Sequence, residues 1–285
     1  MIVEEESPQI ISRAERLISK HQLFVAIGNF VEQRAGANAI NIDYATPRTI
    51  DLLALQDGDA ESLLNGQTVL AGRYEWVRLK VVTSQSTLDS YLEKTVSGVP
   101  TKFPLYVPSG SQTGLKLVRG FTVPVNGSAS FTIDFDLRKS VVDPSGAFSG
   151  YYLKPALRLV DNAQVGGITG TVALSGLCPA SALPLVPNGP SVYVFAGAGV
   201  TPDDIDATGA EPVTTASVKE TSVGSGVYTY KAAFLSPGDY TVAFTCVGAT
   251  DQPESSEALN FQGARNVTVS ANLNNQQDFT APPPP

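Results

Sequence analysis

The chain is poor in the residues from which most catalytic and metal sites are built. Its 285 residues include one His, two Cys, one Trp and one Met. A single His excludes a multi-histidine metal site, and two Cys exclude a site of four thiolates. Any Ser-His-Asp or Cys-His centre would have to use His21, so this scarcity favours a protein that is not an enzyme.

Charge is also scarce. Charged residues make up 16% of the chain, against about 25% in an average soluble domain. Asp and Glu outnumber Lys and Arg by 27 to 19, which gives a net charge of −8. Nucleic-acid binding requires grouped basic residues, so an acidic chain without a basic cluster predicts no nucleic-acid partner.

Long apolar runs are missing as well. The longest, such as Val192 to Phe195, fall far short of the ~18 residues that a membrane-spanning helix needs, so no membrane span is predicted. The chain does contain 25 Gly and 20 Pro, a composition typical of an extracytoplasmic β-protein. Met1 to Glu6 is acidic and shows no secretory signal, so we expect an exported protein whose export signal is not part of this sequence.

The first 22 residues predict a helix. Ser7 followed by Pro8 is a typical N-cap and first helical position, and His21 would place its charge at the C-terminal end. We therefore expect an amphipathic helical segment over residues 1–22. The apolar residues that recur at the helical spacing of three and four are Ile10, Ile11, Ala14, Leu17 and Ile18.

From residue 23 the apolar period becomes two, which is the period of β-strands. Residues 131–138 alternate apolar and polar side chains, so we predict a half-buried strand whose polar face is solvated. Residues 59–64 predict one short helix. The other strands predicted in this part of the chain are 23–31, 39–44, 74–82, 115–125 and 151–160.

A polar stretch that ends in glycines, 161–167, predicts a domain boundary. The strands predicted beyond it are 168–174, 191–195, 213–219, 227–235, 240–247, 264–269 and 276–280. This strand density is typical of immunoglobulin-like and transthyretin-like sandwiches. The predicted fold is therefore all-β, with antiparallel β-sandwich domains at 23–164 and 165–280 and a proline tail at 281–285.

One short element occurs in both halves of the chain. In each copy a turn glycine precedes a tyrosine by two residues and an alternating strand follows: Gly72 and Tyr74, then Gly238 and Tyr240. The glycine permits a tight turn, and the tyrosine can bury its ring while its hydroxyl reaches the backbone. The repeat favours two sandwich domains and implies no chemistry.

The two cysteines, Cys178 and Cys246, both fall in the second predicted domain. In an exported protein they predict a structural disulfide. The alternative is two unpaired thiols. We expect no thiolate nucleophile, because no His lies nearby in sequence.

Two acidic groups are candidate sites. Asp134 and Asp136 share a strand face, as the paired carboxylates of a glycoside hydrolase or of a calcium site can, but we favour a solvated polar face. Asp203, Asp204 and Asp206 form a denser loop, whose oxygens suit calcium; the alternative is a capped turn. No other cofactor is predicted.

Tyr74, Trp76 and Arg78 alternate along one predicted strand, so all three should lie on one face. Exposed aromatic rings on a sheet can stack against sugars, which predicts a ligand-binding platform. The alternative is that Trp76 packs between sheets, the usual place of a lone Trp in a sandwich.

Several motifs stand in order in the first predicted domain: RTIDLLAL at 48–55, LAGRYEWVRL at 70–79, VPSGSQTGLKL at 107–117, IDFDLRKS at 133–140 and YLKPALR at 152–158. Together they resemble the bacterial domain-of-unknown-function family 4382, over residues 23–160. The resemblance implies an exported β-sandwich, as in bacterial lipoproteins, with no established catalytic activity. The second domain resembles carboxypeptidase-regulatory-like and transthyretin-like modules.

The chain departs from this family at its start. Such domains usually open with a β-strand that carries a Leu-x-Asp-Ala-Pro-like motif, and here the predicted helix stands in its place. We therefore expect the first strand to be missing.

The function that these observations predict is a non-catalytic structural or binding protein of adhesion type, in the periplasm, on the outer-membrane surface or outside the cell. Its expected partner is a glycan, a protein or another cell-surface ligand. One alternative is a carbohydrate-active hydrolase, or a calcium-dependent glycan-binding module. Another is self-association, as a filament subunit whose missing first strand is supplied by a neighbour.

Overall fold

The computed structural model of the chain is built mainly from β-strands, which confirms the predicted all-β class. It describes residues 2–5, 9–13, 22–55, 57–108, 114–117, 119–142, 148–154, 156–179, 189–251 and 255–280. The α-helices described are short, α1 (Leu137–Ser140) and α2 (Leu174–Leu177), and 3₁₀ turns lie at Leu52–Ala54, Asn162–Gln164 and Gly248–Thr250. Within these ranges, no helix has the length and apolar character needed to cross a membrane.

The chain divides into two compact units, Met1–Asp161 and Asn162–Pro285. The strands of the first unit are β1 (Ile2–Glu5), β2 (Gln9–Arg13), β3 (Gln22–Arg34), β4 (Ala39–Asp51), β5 (Glu61–Ser62), β6 (Gln67–Leu70), β7 (Gly72–Val82), β8 (Tyr91–Val96), β9 (Val99–Tyr106), β10 (Leu115–Leu117), β11 (Phe121–Val123), β12 (Phe131–Asp136), β13 (Val141–Val142), β14 (Tyr151–Leu153) and β15 (Leu157–Asp161).

The first unit pairs these strands into a large sheet and two smaller ones. Among the described residues the large sheet has nine strands in the order β10-β7-β3-β8-β9-β14-β13, with β11 on β7 and β4 on β3. A four-stranded sheet has the order β15-β12-β2-β5, and β1 pairs with β6. Side chains from all three sheets, such as Leu79, Phe135 and Val69, belong to one buried apolar cluster, so the unit has a common core.

The predicted N-terminal helix is wrong where the structure describes it. Ile2–Glu5 is strand β1, and Gln9–Arg13 is strand β2, which pairs in parallel with β12 and antiparallel with β5. Long-range pairing with β12 therefore overrides the local helical pattern. The expectation that the family's own first strand is missing stays a prediction. Residues 14–21, with His21, lie outside the described residues.

Three further differences follow from turns and short pairings. The predicted strands 115–125 and 151–160 are each divided in two, and the helix predicted at 59–64 is absent from the described part of that segment, where Glu61–Ser62 pairs with β2 instead.

The hairpin β8–β9 was not predicted, because Pro100 and Pro104 argue against a strand. Ser97 and Gly98 form the turn of this hairpin, both with positive φ. The Ser-Gly pair is therefore the sequence feature that could have indicated it.

The second unit contains two four-stranded sheets, with the orders β19-β20-β16-β23 and β18-β17-β21-β22. Buried side chains of both sheets, such as Tyr230 and Phe244, belong to one apolar cluster, as in a β-sandwich. The strands are β16 (Gly166–Thr171), β17 (Ser191–Ala196), β18 (Thr214–Ser217), β19 (Lys219–Glu220), β20 (Tyr228–Leu235), β21 (Gly238–Thr245), β22 (Gln262–Val269) and β23 (Asn274–Gln276).

A second, smaller core lies on the other face of the sheet that contains β17. Val192 and Val194 face the common core, whereas Tyr193 and Phe195 are buried with Ile205 and other apolar residues of the connecting loops. These loops are 197–213, between β17 and β18, and 246–261, between β21 and β22. Described residues of both loops therefore cover the outer face of this sheet, and the loops carry the acidic residues considered below.

The repeated glycine–tyrosine element has the same geometry in both units. The Tyr74 hydroxyl donates to the Leu70 carbonyl at 2.8 Å, and the Tyr240 hydroxyl donates to the Ser236 carbonyl at 2.8 Å. Between each pair, Gly72 has a φ of 143° and Gly238 a φ of 153°, values that favour glycine. Each element is thus a tyrosine corner that ties a turn to the strand that follows.

Candidate functional site

The predicted disulfide is present. Cys178, directly after α2, is bonded to Cys246, directly after β21, with 5.6 Å between their Cα atoms. Both residues are buried. The bond links the loop after β16 to the end of β21, and its role is structural.

The segment 48–55, one of the motifs that carry the family resemblance, is structural as well. The Arg48 guanidinium donates to the Ser62 carbonyl at 2.5 Å and pairs with the Glu61 carboxylate at 2.7 Å. The Asp51 carboxylate accepts hydrogen bonds from the amides of Leu23 and Leu53 at 3.2 and 3.1 Å. Burial raises the pKa of Asp51, and these hydrogen bonds oppose that rise. The motif therefore fixes strand β4 against its neighbours.

Asp134 does not lie on a solvated strand face, so that part of the prediction is wrong. Asp134 and Thr132 are 3% and 0% exposed, because both faces of β12 are buried. The Asp134 carboxylate accepts a hydrogen bond at 2.6 Å from the guanidinium of Arg158, its register partner on β15. The side chain of Asp136 lies outside the described residues, so the proposed carboxylate pair stays untested.

The predicted platform of Tyr74, Trp76 and Arg78 is divided by a bulge. Consecutive residues of β3, Gln33 and Arg34, pair with Trp76 and Tyr74, so the two aromatic side chains point to opposite faces of the sheet. Tyr74 is fully buried and stacks on Phe121, which removes it from any binding surface.

Trp76 and Arg78 do lie together, as expected. Trp76 is half-buried, and the Arg78 guanidinium and the Lys116 ammonium each lie 4.8 Å from the centroid of its ring. These cation–π contacts already engage the ring within the molecule. A ligand at this position would compete with them.

A different aromatic surface was missed by the sequence analysis. Tyr106 on β9 and Tyr152 on β14 are register partners and so share a face, with 6.2 Å between their ring centroids. Phe148 lies 5.3 Å from Tyr152 and 6.5 Å from Tyr106, and all three rings are half-buried. We call these three residues the aromatic face. It depends on the parallel pairing of β9 with β14, which no local pattern indicates.

Polar groups lie on the same sheet face as the aromatic face. The alternation of β9 places Lys102 on the side of Tyr106, and pairing with β8 adds Tyr91 and Glu93. The Lys102 ammonium lies 4.2 Å from the Tyr91 ring centroid and 3.9 Å from the Glu93 carboxylate. Lys102 is four residues from Tyr106 along β9, about 13 Å away on strand geometry, so an extended ligand could reach both.

The second candidate site is a group of carboxylates on the loops over the outer core. Oxygens of Asp204, Asp251 and Glu257 lie within 4.8 Å of one another. Asp204 and Asp251 are 1% and 4% exposed, and Glu257 is half-buried. We call these residues the acidic cluster. Within the described part of the chain, the acidic cluster is the group of three ligand side chains close enough together to hold one metal ion.

Of the three aspartates predicted as calcium ligands, only Asp204 belongs to this cluster. Asp203 accepts a hydrogen bond from the Asp204 amide at 3.1 Å, so it caps the turn. Asp206 accepts hydrogen bonds from the amide and hydroxyl of Thr208 at 2.8 and 2.7 Å, which lower the pKa of Asp206. The grouping of 203, 204 and 206 is therefore wrong, because Asp203 and Asp206 accept hydrogen bonds within their own loop whereas Asp204 reaches Glu257 on the other loop.

Comparison with known proteins gives a family match within the first unit and structural matches at low identity. No curated protein matches the chain. Among solved structures, a leucine-rich repeat protein from Bacteroides thetaiotaomicron VPI-5482 has 12% identity and a TM-score of 0.19, covering 96% of this chain and 25% of that one. The fimbrial anchor protein Mfa2 from Porphyromonas gingivalis has 9% identity and a TM-score of 0.17, covering 84% of this chain and 77% of that one. At these TM-scores neither structure informs the fold or the function.

The family comparison covers most of the first unit. It confirms the resemblance noted there, whereas the carboxypeptidase-regulatory-like character of the second unit stays a prediction. Residues 19–155 match the family described as "Domain of unknown function (DUF4382)".

Proposed function

We propose that this protein is a non-catalytic, extracytoplasmic binding protein of adhesion type, and that its aromatic face contacts a glycan. The observation that carries the proposal is the set of half-exposed rings of Tyr106, Phe148 and Tyr152 on one sheet face. Aromatic rings of this kind supply large contact area at low entropic cost and dominate binding energies where they are buried by a ligand.

The chemistry of the aromatic face suits a sugar. A pyranose ring offers apolar C–H faces that pack on aromatic rings and hydroxyls that exchange hydrogen bonds. The hydroxyls of Tyr106 and Tyr152 make no hydrogen bond to another described residue, so they are available to such a ligand. Farther along the same sheet face, Lys102 and Glu93 offer a donor and an acceptor to an extended glycan.

The disulfide supports the proposed location. Disulfides persist in oxidising compartments and are rare in the cytosol, and Cys178 and Cys246 are bonded. The structure does not favour the hydrolase alternative, because Asp134 is buried in an ion pair with Arg158. It also does not favour the filament alternative, because β2 of the chain itself pairs with β12 and β5.

A glycan array probed with the intact chain tests this proposal. Tyr106→Ala and Tyr152→Ala should each weaken binding to any glycan that the wild type retains by at least about tenfold, since a central aromatic contact typically contributes 2 kcal/mol or more. Trp76→Ala, which removes an aromatic ring outside the aromatic face, is the matched control and should bind normally. An array without hits, or equal binding by all variants with intact far-ultraviolet circular dichroism, would contradict the proposal.

A further inference from the structure

We propose that the acidic cluster of the second unit is a calcium site that joins the two loops over the outer face of the sheet. This inference is separate from the proposed glycan contact, which lies in the first unit. Its ligands come from two loops: Asp204 from 197–213, and Asp251 and Glu257 from 246–261. No local sequence motif connects them.

The strongest indication is an unsatisfied carboxylate oxygen. Asp204 is 1% exposed, and its Oδ2 accepts a hydrogen bond from the Glu257 amide. Its Oδ1 is buried and has no hydrogen-bond partner among the described residues. An ionised oxygen withdrawn from water without a partner is costly. A bound cation supplies the missing partner.

The charge of the cluster points the same way. Asp204 and Asp251 are both buried, and their carboxylate oxygens and those of Glu257 lie within 4.8 Å of one another. Like charges this close repel unless a cation or a shared proton intervenes. All the side-chain ligands are carboxylate oxygens, which hard cations such as Ca²⁺ prefer to the sulfur and nitrogen ligands of zinc.

The ligand chemistry favours calcium over magnesium. Magnesium demands near-ideal octahedral geometry, keeps several of its waters and is usually bound by only one or two carboxylates. Calcium takes six to eight oxygen ligands in a flexible geometry. Three carboxylates whose oxygens lie within 4.8 Å of one another, two of them buried, therefore suit calcium better.

Neighbouring groups hold the ligands in place. The Tyr193 hydroxyl donates to Asp251 Oδ2 at 2.5 Å, and the Ile205 amide donates to Asp251 Oδ1 at 3.2 Å. The Ser255 hydroxyl donates to the Glu257 carboxylate. Such hydrogen bonds orient the ligands of a metal site. Since Ile205 and Tyr193 also belong to the outer core, binding of calcium should stabilise the fold of both loops.

Thermal unfolding of the intact chain, stripped with EDTA and then titrated with CaCl₂ or MgCl₂, tests the proposal. We expect saturating calcium to raise the Tm by about 5 °C, because a ligand that binds only the folded state stabilises it, and magnesium to have a smaller effect. Terbium bound at the site should give tyrosine-sensitised luminescence, since the Tyr193 hydroxyl contacts the proposed metal ligand Asp251. Excess calcium should displace the terbium and abolish this luminescence.

Variants distinguish the cluster from its neighbours. Asp204→Asn and Glu257→Gln should each abolish the calcium-dependent Tm shift, whereas Asp203→Asn and Asp206→Asn, on the same loop as Asp204 but outside the cluster, should retain it. If Asp204→Asn fails to fold, the calcium-dependent Tm shift of Glu257→Gln still tests the site, because Glu257 is only half-buried. A wild type with neither a calcium shift nor terbium luminescence would overturn the proposal. Retention of the full shift by Glu257→Gln would overturn it too.

Discussion

Glu32 on β3 carries a carboxylate into the interior of the first unit. It is 0% exposed, lies between Ile40 and Val77 in the sheet, and neither of its carboxylate oxygens has a hydrogen-bond partner among the described residues. Burial raises the pKa of Glu32 from 4.5 to about 7. The protonated form is therefore the one that the fold accommodates.

The stability of the first unit should fall as the pH rises, because its folded state favours protonated Glu32. Well below pH 4.5, the ordinary pKa of a glutamate, Glu32 is protonated in both the folded and the unfolded chain. Its burial then has no pH-dependent effect on the free energy of unfolding. As the pH rises from there through about 7, the unfolded chain ionises first, so stability is lost, and the full penalty is present above the folded pKa.

We predict that Glu32→Gln stabilises the first unit by about 3 kcal/mol at pH 8 and by little at pH 4.5, from the size of the pKa shift. Urea unfolding at the two pH values measures this difference. Glu75→Gln, at an exposed position of β7, is the control, and its stability should stay close to that of the wild type at each pH. An equal effect of Glu32→Gln at the two pH values would show that ionisation of Glu32 does not destabilise the folded chain.

At the scale of strands, the ion pair between Asp134 and Arg158 joins the neighbouring strands β12 and β15. The Arg158 side chain is 40% exposed, so solvent screens the pair and reduces its contribution. The buried Asp134 nevertheless depends on it, because an ionised carboxylate without a partner is costly in the interior.

We expect Asp134→Asn to lower the stability of the first unit by about 1–2 kcal/mol, a value reduced from that of a fully buried pair because of the screening. The decrease should be measurable as a lower urea midpoint. Asp161→Asn, at the end of β15 where the residue is half-buried, provides a comparison and should change the midpoint less. A catalytic Asp134 would behave differently, since its substitution would leave the midpoint nearly unchanged and remove turnover on a polysaccharide.

The elements that sequence could predict are those set by local chemistry. Period-two alternation located β3 and β7, the short apolar run Val192 to Phe195 located β17, and the glycine–tyrosine spacing indicated both tyrosine corners. The features that it missed depend on residues far apart in the chain. The pairing of β2 with β12, the bulge that separates Tyr74 from Trp76, and the acidic cluster, in which Asp204 and Glu257 are 53 residues apart, have no local pattern.

At the scale of the whole molecule, the division between Asp161 and Asn162 separates units that each have their own buried apolar cluster. A unit with its own core should fold by itself. The second unit also has its own disulfide, which for a loop of 68 residues contributes about 4 kcal/mol in the chain-entropy model.

We predict that residues 162–280, produced under oxidising conditions, unfold in one cooperative transition and retain near-ultraviolet circular dichroism. Dithiothreitol should lower the midpoint of that transition. A fragment of 191–280, which lacks β16 and Cys178, should remain unfolded. Cooperative folding of the shorter fragment, or a disordered longer one, would show that the division of the chain lies elsewhere.

The path of the chain through the second unit has a mechanical consequence. Strand β16 near its start and β23 near its end are adjacent and parallel, and the ladder continues as hydrogen bonds of 2.9 and 2.8 Å between Phe279 and the backbone of Thr171 and Ala173. Tension on the chain at the two ends of this unit would therefore pull the strands past each other along their length. Such a shearing load is shared by all the bonds of the ladder at once, whereas adjacent antiparallel strands pulled from one edge unzip bond by bond. Should the ladder fail, the bond between Cys178 and Cys246 would still keep the chain between them from extending, so the unit is built to resist pulling force in two stages.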